Sequence, residues 1–86
     1  MTNPKHNPVE WTLLIDELTE VHEHLGALIS KLGNEPEYDE AWFRVDMGHL
    51  MAHLNRAWAR RNCASDLTDE QWERFREYPQ DLPPIA

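Results

Sequence analysis

The chain has 86 residues, eight Lys and Arg against sixteen Asp and Glu, and a formal net charge of −8 at pH 7. That charge excludes the broad cationic surface through which proteins bind nucleic acid directly. The sequence has no apolar run of about 18 residues, which excludes a membrane span. Its single cysteine, Cys63, cannot form an internal disulfide. The first ten residues lack the apolar centre of a secretory signal, so we expect a cytoplasmic protein.

The first predicted helix follows an N-terminus, residues 1–7, that is expected to be mobile. Asn7 suits the N-cap, Pro8 suits the first helical position, and Glu10 completes a capping-box pattern. Apolar residues then recur every three or four positions until the helix ends near Leu32. We expect the core of this helix at the repeated positions, which are Trp11, Leu14, Leu18, Val21, Leu25, Leu28 and Leu32.

A second long helix is predicted over residues 37–62, and it is apolar on two sides. At about 100° per residue, one side carries large residues and the other carries small ones. The large side consists of Phe43, Met47, Leu50, Met51, Leu54 and Trp58. The small side, which we expect to meet a second chain or another partner, consists of Ala41, Val45, Gly48, Ala52 and Ala59. A polar seam between the two sides contains Asp46, His49, His53, Arg56 and Arg60.

A short third helix is predicted over residues 68–78. Thr68 can cap it, and Gln71 can bond back to the cap in a capping box. The tail, residues 79–86, is rich in proline and is expected to be extended. Two apolar residues of the tail are expected to hold it against the small side of the second helix, Leu82 and Ile85.

These elements predict an all-α fold in a single domain, residues 1–86. A short turn joins antiparallel neighbours, so the first two helices are expected to form an antiparallel hairpin with the short third helix beside it. A chain of this length buries only about 60–65% of its unfolded surface. The two apolar sides of the second helix therefore favour a homodimer, in which two hairpins make a four-helix bundle.

One set of polar residues has the spacing of metal ligands, Asp46-x-x-His49-x-x-x-His53. Residues three and four apart are neighbours on a helix, so these side chains line one edge and could bind zinc or iron. His22 on the first helix could add a ligand, whereas His24 faces a different way from His22 and is left out. The competing interpretation is a structural seam in which the histidines only make hydrogen bonds. The chain has no HExxH motif, which disfavours a hydrolytic zinc site.

The chain has no recognisable set of catalytic residues, which favours a non-enzymatic role. The leading hypothesis is an interaction or regulatory module that presents an acidic helical surface to another protein. That surface is a stripe on the first helix, Asp16, Glu20 and Glu23. The alternatives are a metal-binding helical bundle, acting as a sensor or an enzyme, and an acidic inhibitor of a nucleic-acid-binding protein.

Overall fold

A computed structural model of the chain describes residues 1–62, 68–75, 77, 79 and 81–83. These residues form three helices, α1 (Pro8–Asn34), α2 (Glu40–Arg60) and α3 (Asp69–Arg74), and no strand. The all-α prediction is therefore confirmed for the described part of the chain. None of the described helices combines the length and the apolar character that crossing a membrane requires.

The starts of α2 and α3 follow the capping rules. The Asp39 carboxylate accepts a hydrogen bond from the backbone N–H of Trp42 at 3.1 Å, so α2 begins directly after a good N-cap. Thr68 and Gln71 form the predicted capping box of α3, with bonds of 3.2 and 3.0 Å. α3 ends at Arg74, short of the predicted end at residue 78.

The capping box predicted for the start of α1 is not formed. Asn7 occupies the N-cap position, but its side chain makes no capping hydrogen bond. The Asn3 side-chain oxygen instead accepts from the backbone N–H groups of Lys5 and His6, at 3.0 and 2.8 Å, in the turn before the helix. The start of α1 therefore relies on Pro8, whose fixed φ suits the first helical position.

α1 and α2 pack as the predicted antiparallel hairpin, joined by residues 35–39. The end of α1 lies beside the start of α2, as the ion pair between Lys31 and Asp46 at 3.3 Å illustrates. The apolar core is small, because only four apolar residues are buried among those described: Leu14, Leu28, Leu50 and Ala57. A core of this size provides little stability by itself.

The repeated apolar positions of α1 are only partly buried, which corrects the core predicted from the sequence. α2 packs against the side of α1 that carries Leu14 and Leu28. Glu17 lies on the same side of α1 and forms ion pairs with the arginines of α2. The remaining leucines of the series stay exposed in the chain: Leu18, Leu25 and Leu32. The apolar repeat therefore marks a wider surface than one partner helix covers.

α2 meets α1 through its polar seam as well as through Leu50. His53, Arg56 and Arg60 in the seam are only 5–7% exposed. Three members of the large apolar side of α2 are exposed in the chain: Phe43, Met47 and Leu54. The reason is electrostatic, because the buried carboxylate of Glu17 requires positively charged groups opposite it.

Eight of the uncovered large apolar residues of the two helices lie on one side of the hairpin, whereas Val9, Trp42 and Val45 are exposed elsewhere. Leu18 from α1 and Leu54 from α2 line the same cavity of about 470 Å³, so their two apolar stripes adjoin. When the helix positions are wound at about 100° per residue, the other exposed residues of this surface lie on the same side of α1 as Leu18 or on the same side of α2 as Leu54. This surface, called the apolar face, consists of Ile15, Leu18, Leu25, Ile29, Leu32, Phe43, Met47 and Leu54, each between 37 and 62% exposed.

The tail packs at the C-terminal end of α2. The Asp81 carboxylate accepts hydrogen bonds from the indole N–H of Trp58 at 2.8 Å and from the guanidinium of Arg61 at 3.0 Å. The N-terminal segment also bonds to the backbone at this end. Leu82 lines the cavity beside the apolar face, so the prediction that it lies on the small side of α2 is wrong. Ile85 lies outside the described residues.

Candidate metal centre

Four polar side chains from α1 and α2 converge on the side of the hairpin away from the apolar face. Each helix supplies two residues four positions apart, which are neighbours on its surface. These residues are Glu20 and His24 from α1 and His49 and His53 from α2. The antiparallel packing sets the two pairs opposite each other. This group of four is called the histidine cluster.

The three imidazoles of the histidine cluster are close enough to share one ion. The Nε2 atoms of His49 and His53 are 3.0 Å apart, and the ring centre of His24 lies 4.4 Å from that of His49. One nitrogen from each of the three rings lies within 4.8 Å of the other two. Zinc–nitrogen bonds of about 2.0–2.1 Å place the nitrogens of a tetrahedral site about 3.3 Å apart. For one ion to bind all three, the nitrogens therefore have to approach one another by up to about 1.5 Å.

Glu20 adds a carboxylate oxygen at the solvent side of the cluster. Its Oε2 lies 3.7 Å from Nε2 of His24 and 3.7 Å from Nε2 of His53, beside the three imidazoles whose nitrogens lie within 4.8 Å of one another. The Glu20 side chain is 55% exposed, whereas that of His53 is only 8% exposed. An ion can therefore enter from solvent while its inner ligand stays fixed. Asp16 and Glu23, the other members of the predicted acidic stripe, are exposed and lie outside the cluster.

Beneath the cluster, Glu17 determines which nitrogen of His53 carries the proton. Oε1 of Glu17 lies 2.8 Å from Nδ1 of His53, so the Nδ1–H group donates to the carboxylate. Nε2 of His53 then carries a lone pair that accepts from the Nε2–H of His49 at 3.0 Å, and an ion could take the place of that proton, as in the carboxylate–histidine–metal arrangement of metalloproteins. Nη2 of Arg56 lies 3.2 Å from the same Nδ1. A protonated Nδ1 has no lone pair, so it cannot accept a hydrogen bond from Arg56.

Two arginines of α2 hold Glu17 in place. Its Oε2 accepts hydrogen bonds from Nε of Arg56 at 3.3 Å and from Nε of Arg60 at 3.4 Å. The three side chains are only 6–9% exposed, so solvent and salt screen these ion pairs weakly. The guanidinium of Arg56 also lies 4.0 Å from the ring centre of Trp72 in α3, a cation–π contact that places α3 over this end of the network.

The surroundings of His49 favour its neutral form. Burial and the neighbouring imidazoles of His24 and His53 lower the pKa of His49 from its usual 6.5, and Arg56 acts in the same direction while Glu20 opposes it. The neutral imidazole is the form that binds a metal ion. His49, next to the buried His53, is therefore in the form that can act as a ligand near neutral pH.

The metal-free protein is expected to lose stability as the pH falls below about 6.5. Because the folded-state pKa of His49 is lowered, the unfolded chain binds this proton more readily. His49 thus contributes to the free energy of unfolding at pH values above the unfolded-state pKa. This contribution is lost as the pH falls through the unfolded-state pKa and below it. Thermal unfolding in chelator across this range checks the prediction. His49→Gln should flatten part of the dependence, whereas the exposed His6→Gln should not; equal profiles for both variants would contradict it.

Asp46, the carboxylate predicted as a ligand from its spacing, is not brought into the histidine cluster. It accepts hydrogen bonds from the Tyr38 hydroxyl and from Nζ of Lys31, the latter at 3.3 Å. The bond from Tyr38 holds the pKa of Asp46 below its usual range. Partial burial and the same bond raise the pKa of Tyr38 to about 12. His22 is exposed on α1 next to the apolar face, so it also lies apart from the cluster.

Three residues of the site are not predicted from the sequence: Glu17, Glu20 as a ligand, and His24. Glu20 and His24 are four residues apart, as are His49 and His53, and two such pairs on adjacent helices are a signal for a shared site. Glu17 carries a weaker signal. It is an acid on the buried edge of an apolar repeat, where a positively charged group has to meet it.

The small side of α2, predicted as a partner surface, is largely open. Its members are exposed or half-buried: Ala41, Val45, Gly48, Ala52 and Ala59. A shallow cavity of about 320 Å³ lies over Gly48 and Ala52 and is bounded by Trp72. The short helix α3 therefore borders this side without covering it.

Comparisons with known proteins do not extend this description. No protein-family model matches the chain, and neither the curated proteins nor the solved structures contain a match to it. A functional conclusion therefore has to come from the chemistry of the residues themselves.

Proposed function

We propose that the protein binds one divalent transition-metal ion, Zn²⁺, in the histidine cluster. The observation that carries this proposal is the convergence of one nitrogen each from His24, His49 and His53 within 4.8 Å. The three neutral imidazoles satisfy one another only in part, since His49 and His53 share one hydrogen bond of 3.0 Å and each ring offers one donor and one lone pair in fixed directions. A central ion satisfies three lone pairs at once, and nitrogen ligands favour zinc over calcium and magnesium.

The donor set supports ion binding rather than metal catalysis. We assign the fourth ligand to the Glu20 oxygen, which lies 3.7 Å from nitrogens of His24 and His53; it would complete a closed tetrahedral site, whereas catalytic zinc keeps one position for water. Glu17, the other carboxylate nearby, bonds to His53 and to the arginines of α2. It is therefore poorly placed to act as a base on a metal-bound water. We propose a non-enzymatic role on these grounds.

Zinc bound here would join α1 to α2 where the two helices share few apolar contacts. The ligands come equally from both helices, and only four described apolar residues are buried. An ion that binds only the folded chain stabilises the fold to an extent set by its concentration. The proposed function is accordingly a small metal-responsive module, whose folded population rises with the available zinc.

The unaltered protein is expected to bind one zinc ion per chain and to melt at a higher temperature with zinc bound. Zinc at about 100 times its dissociation constant should add about 2.7 kcal/mol to the free energy of unfolding. Isothermal titration calorimetry gives the stoichiometry, and thermal unfolding with and without zinc gives the shift. Magnesium, which prefers oxygen ligands, is the control and should produce no shift. A chain that takes up no zinc, or melts identically with it, would contradict the proposal.

We propose a second role for the hairpin, contact with protein through the side opposite the histidine cluster. The support is the apolar face, on which eight large side chains are between 37 and 62% exposed. Extensive apolar patches on soluble chains mark interaction sites. This proposal keeps the interaction module expected from the sequence. It moves the contact surface from the acidic stripe of α1 and the small side of α2, where the sequence placed it, to the apolar face.

A further inference from the structure

The apolar face is larger than the apolar patches that most monomeric proteins leave in solvent. Its eight side chains, on two helices, are each between 37 and 62% exposed. Together they expose on the order of 700 Å², above the roughly 300–600 Å² of the largest patch on a typical monomer. The surface is also continuous across the hairpin, because Leu18 and Leu54 line one cavity. Such a surface requires an occupant.

We infer that the apolar face binds the apolar face of a second copy of this chain, so that two hairpins form a four-helix bundle. The inference rests on the proposed protein contact and does not depend on the metal site. Complete burial of two such faces would remove at most about 1,400 Å² from solvent, within the roughly 1,200–2,000 Å² of stable interfaces. The area available therefore matches what a specific dimer needs.

The chemistry of the face selects an apolar partner with little charge. At about 100° per residue, the border of the face along α1 is formed by Thr19, Gly26 and Ser30, which are small and neutral. On α2 the same side carries Glu40 and Arg44, one charge of each sign, and His22 is the titratable residue nearest the centre of the α1 stripe. A strongly basic or acidic partner would find few opposite charges here. A second copy presents the same apolar chemistry and the same border, on which the charges of Glu40 and Arg44 balance.

A second copy also supplies the core that the single chain lacks. Only four described apolar residues are buried within one chain, and chains this short gain stability from association. Pairing the faces adds a layer of leucine, isoleucine, phenylalanine and methionine from both helices of each copy, as in four-helix bundles. Leu82 and Met1 border the face near Leu18. The centre of the interface therefore falls on the half nearer the interhelical turn, around Leu25 and Ile29.

Sedimentation equilibrium is expected to show the unaltered protein at twice the 10.2 kDa chain mass at about 100 µM. Leu25→Glu should be monomeric at the same concentration, because the new carboxylate would be buried in the interface. Val45→Glu is the matched control. Val45 is also an exposed apolar helix residue, at 63%, but it lies on the small side of α2. This variant should remain a dimer.

Because Leu25→Glu can unfold the chain as well as separate the copies, the milder pair Leu25→Ala and Val45→Ala is measured alongside. Leu25→Ala should raise the dimer dissociation constant at least about tenfold, and Val45→Ala should change it less than about twofold. A monomeric unaltered protein overturns the inference, as do Leu25 variants that dimerise normally. Loss of the dimer in the Val45 variants alone would assign the interface to the small side. The zinc content of the same samples tests the metal proposal separately.

Discussion

His24→Ala is expected to abolish stoichiometric zinc binding, lowering the affinity by at least about 100-fold. Losing a mere supporting group of a metal site already costs about 10–100-fold, and a ligand contributes more. His24 is the imidazole that α1 brings to within ligand distance of His49 and His53. Without it, two imidazoles of one helix and the exposed Glu20 carboxylate remain. Competition for zinc with a chelating dye near neutral pH measures the change.

His22→Ala is the matched control for this prediction, since it alters the same residue type on the same helix. His22 is exposed and lies outside the histidine cluster, so its variant should bind zinc as the unaltered protein does. Asp46→Asn should also keep zinc, because the Asp46 carboxylate bonds to Tyr38 and Lys31. Loss of zinc in either control, with normal binding in His24→Ala, would favour the ligand set inferred from spacing and reject the histidine cluster.

Glu17→Gln is expected to lower the free energy of unfolding of the metal-free protein by about 3–5 kcal/mol. Glutamine keeps the size of the side chain but removes the charge that meets His53, Arg56 and Arg60 in a buried site. The two guanidinium groups then lose a shared counter-charge in surroundings that screen them weakly. Single domains have only about 5–15 kcal/mol in total, so the variant should be partly unfolded at modest urea concentrations.

Glu20→Gln separates this buried ion pair from a general effect of removing an acid from α1. Glu20 lies one turn further along α1 and its side chain is 55% exposed, so in the absence of metal its variant should stay within about 0.5 kcal/mol of the unaltered protein. Urea unfolding followed by circular dichroism compares the two. A cost below about 1 kcal/mol for Glu17→Gln would mean that the carboxylate does not hold the two arginines as described.

The helices themselves follow from local sequence. Thr68 and Gln71 form the capping box that their spacing predicts, and Pro8 begins α1 where its fixed φ favours a helix start. Both effects act within a few residues, so the sequence is sufficient to predict them. The antiparallel hairpin follows as well, because a turn as short as residues 35–39 leaves two long helices little choice but to lie side by side.

Which surface of each helix is covered is a tertiary outcome. The repeat in α1 marks Leu14, Leu18, Leu25 and Leu28 equally, yet only Leu14 and Leu28 are buried in the chain. The periodicity predicts that one side of α1 is apolar. Which residues of that side become buried depends on where α2 packs against it. Here the buried Glu17 and the arginines of α2 set that position, and the remaining apolar stripe faces outward.

Some candidate ligands are likewise predictable from local sequence, and others depend on the tertiary structure. The spacing of His49 and His53 places them together on α2 from the sequence alone, because both sit on one helix one turn apart. His24 and Glu20 join them only through the antiparallel register of α1 against α2, which brings residues about 30 positions apart in the chain into contact. Asp46, equally well spaced, turns instead to Tyr38 and Lys31. Local sequence determined the helices and one pair of histidines; helix register, set by the burial of Glu17 among opposite charges, decided which other side chains complete the site.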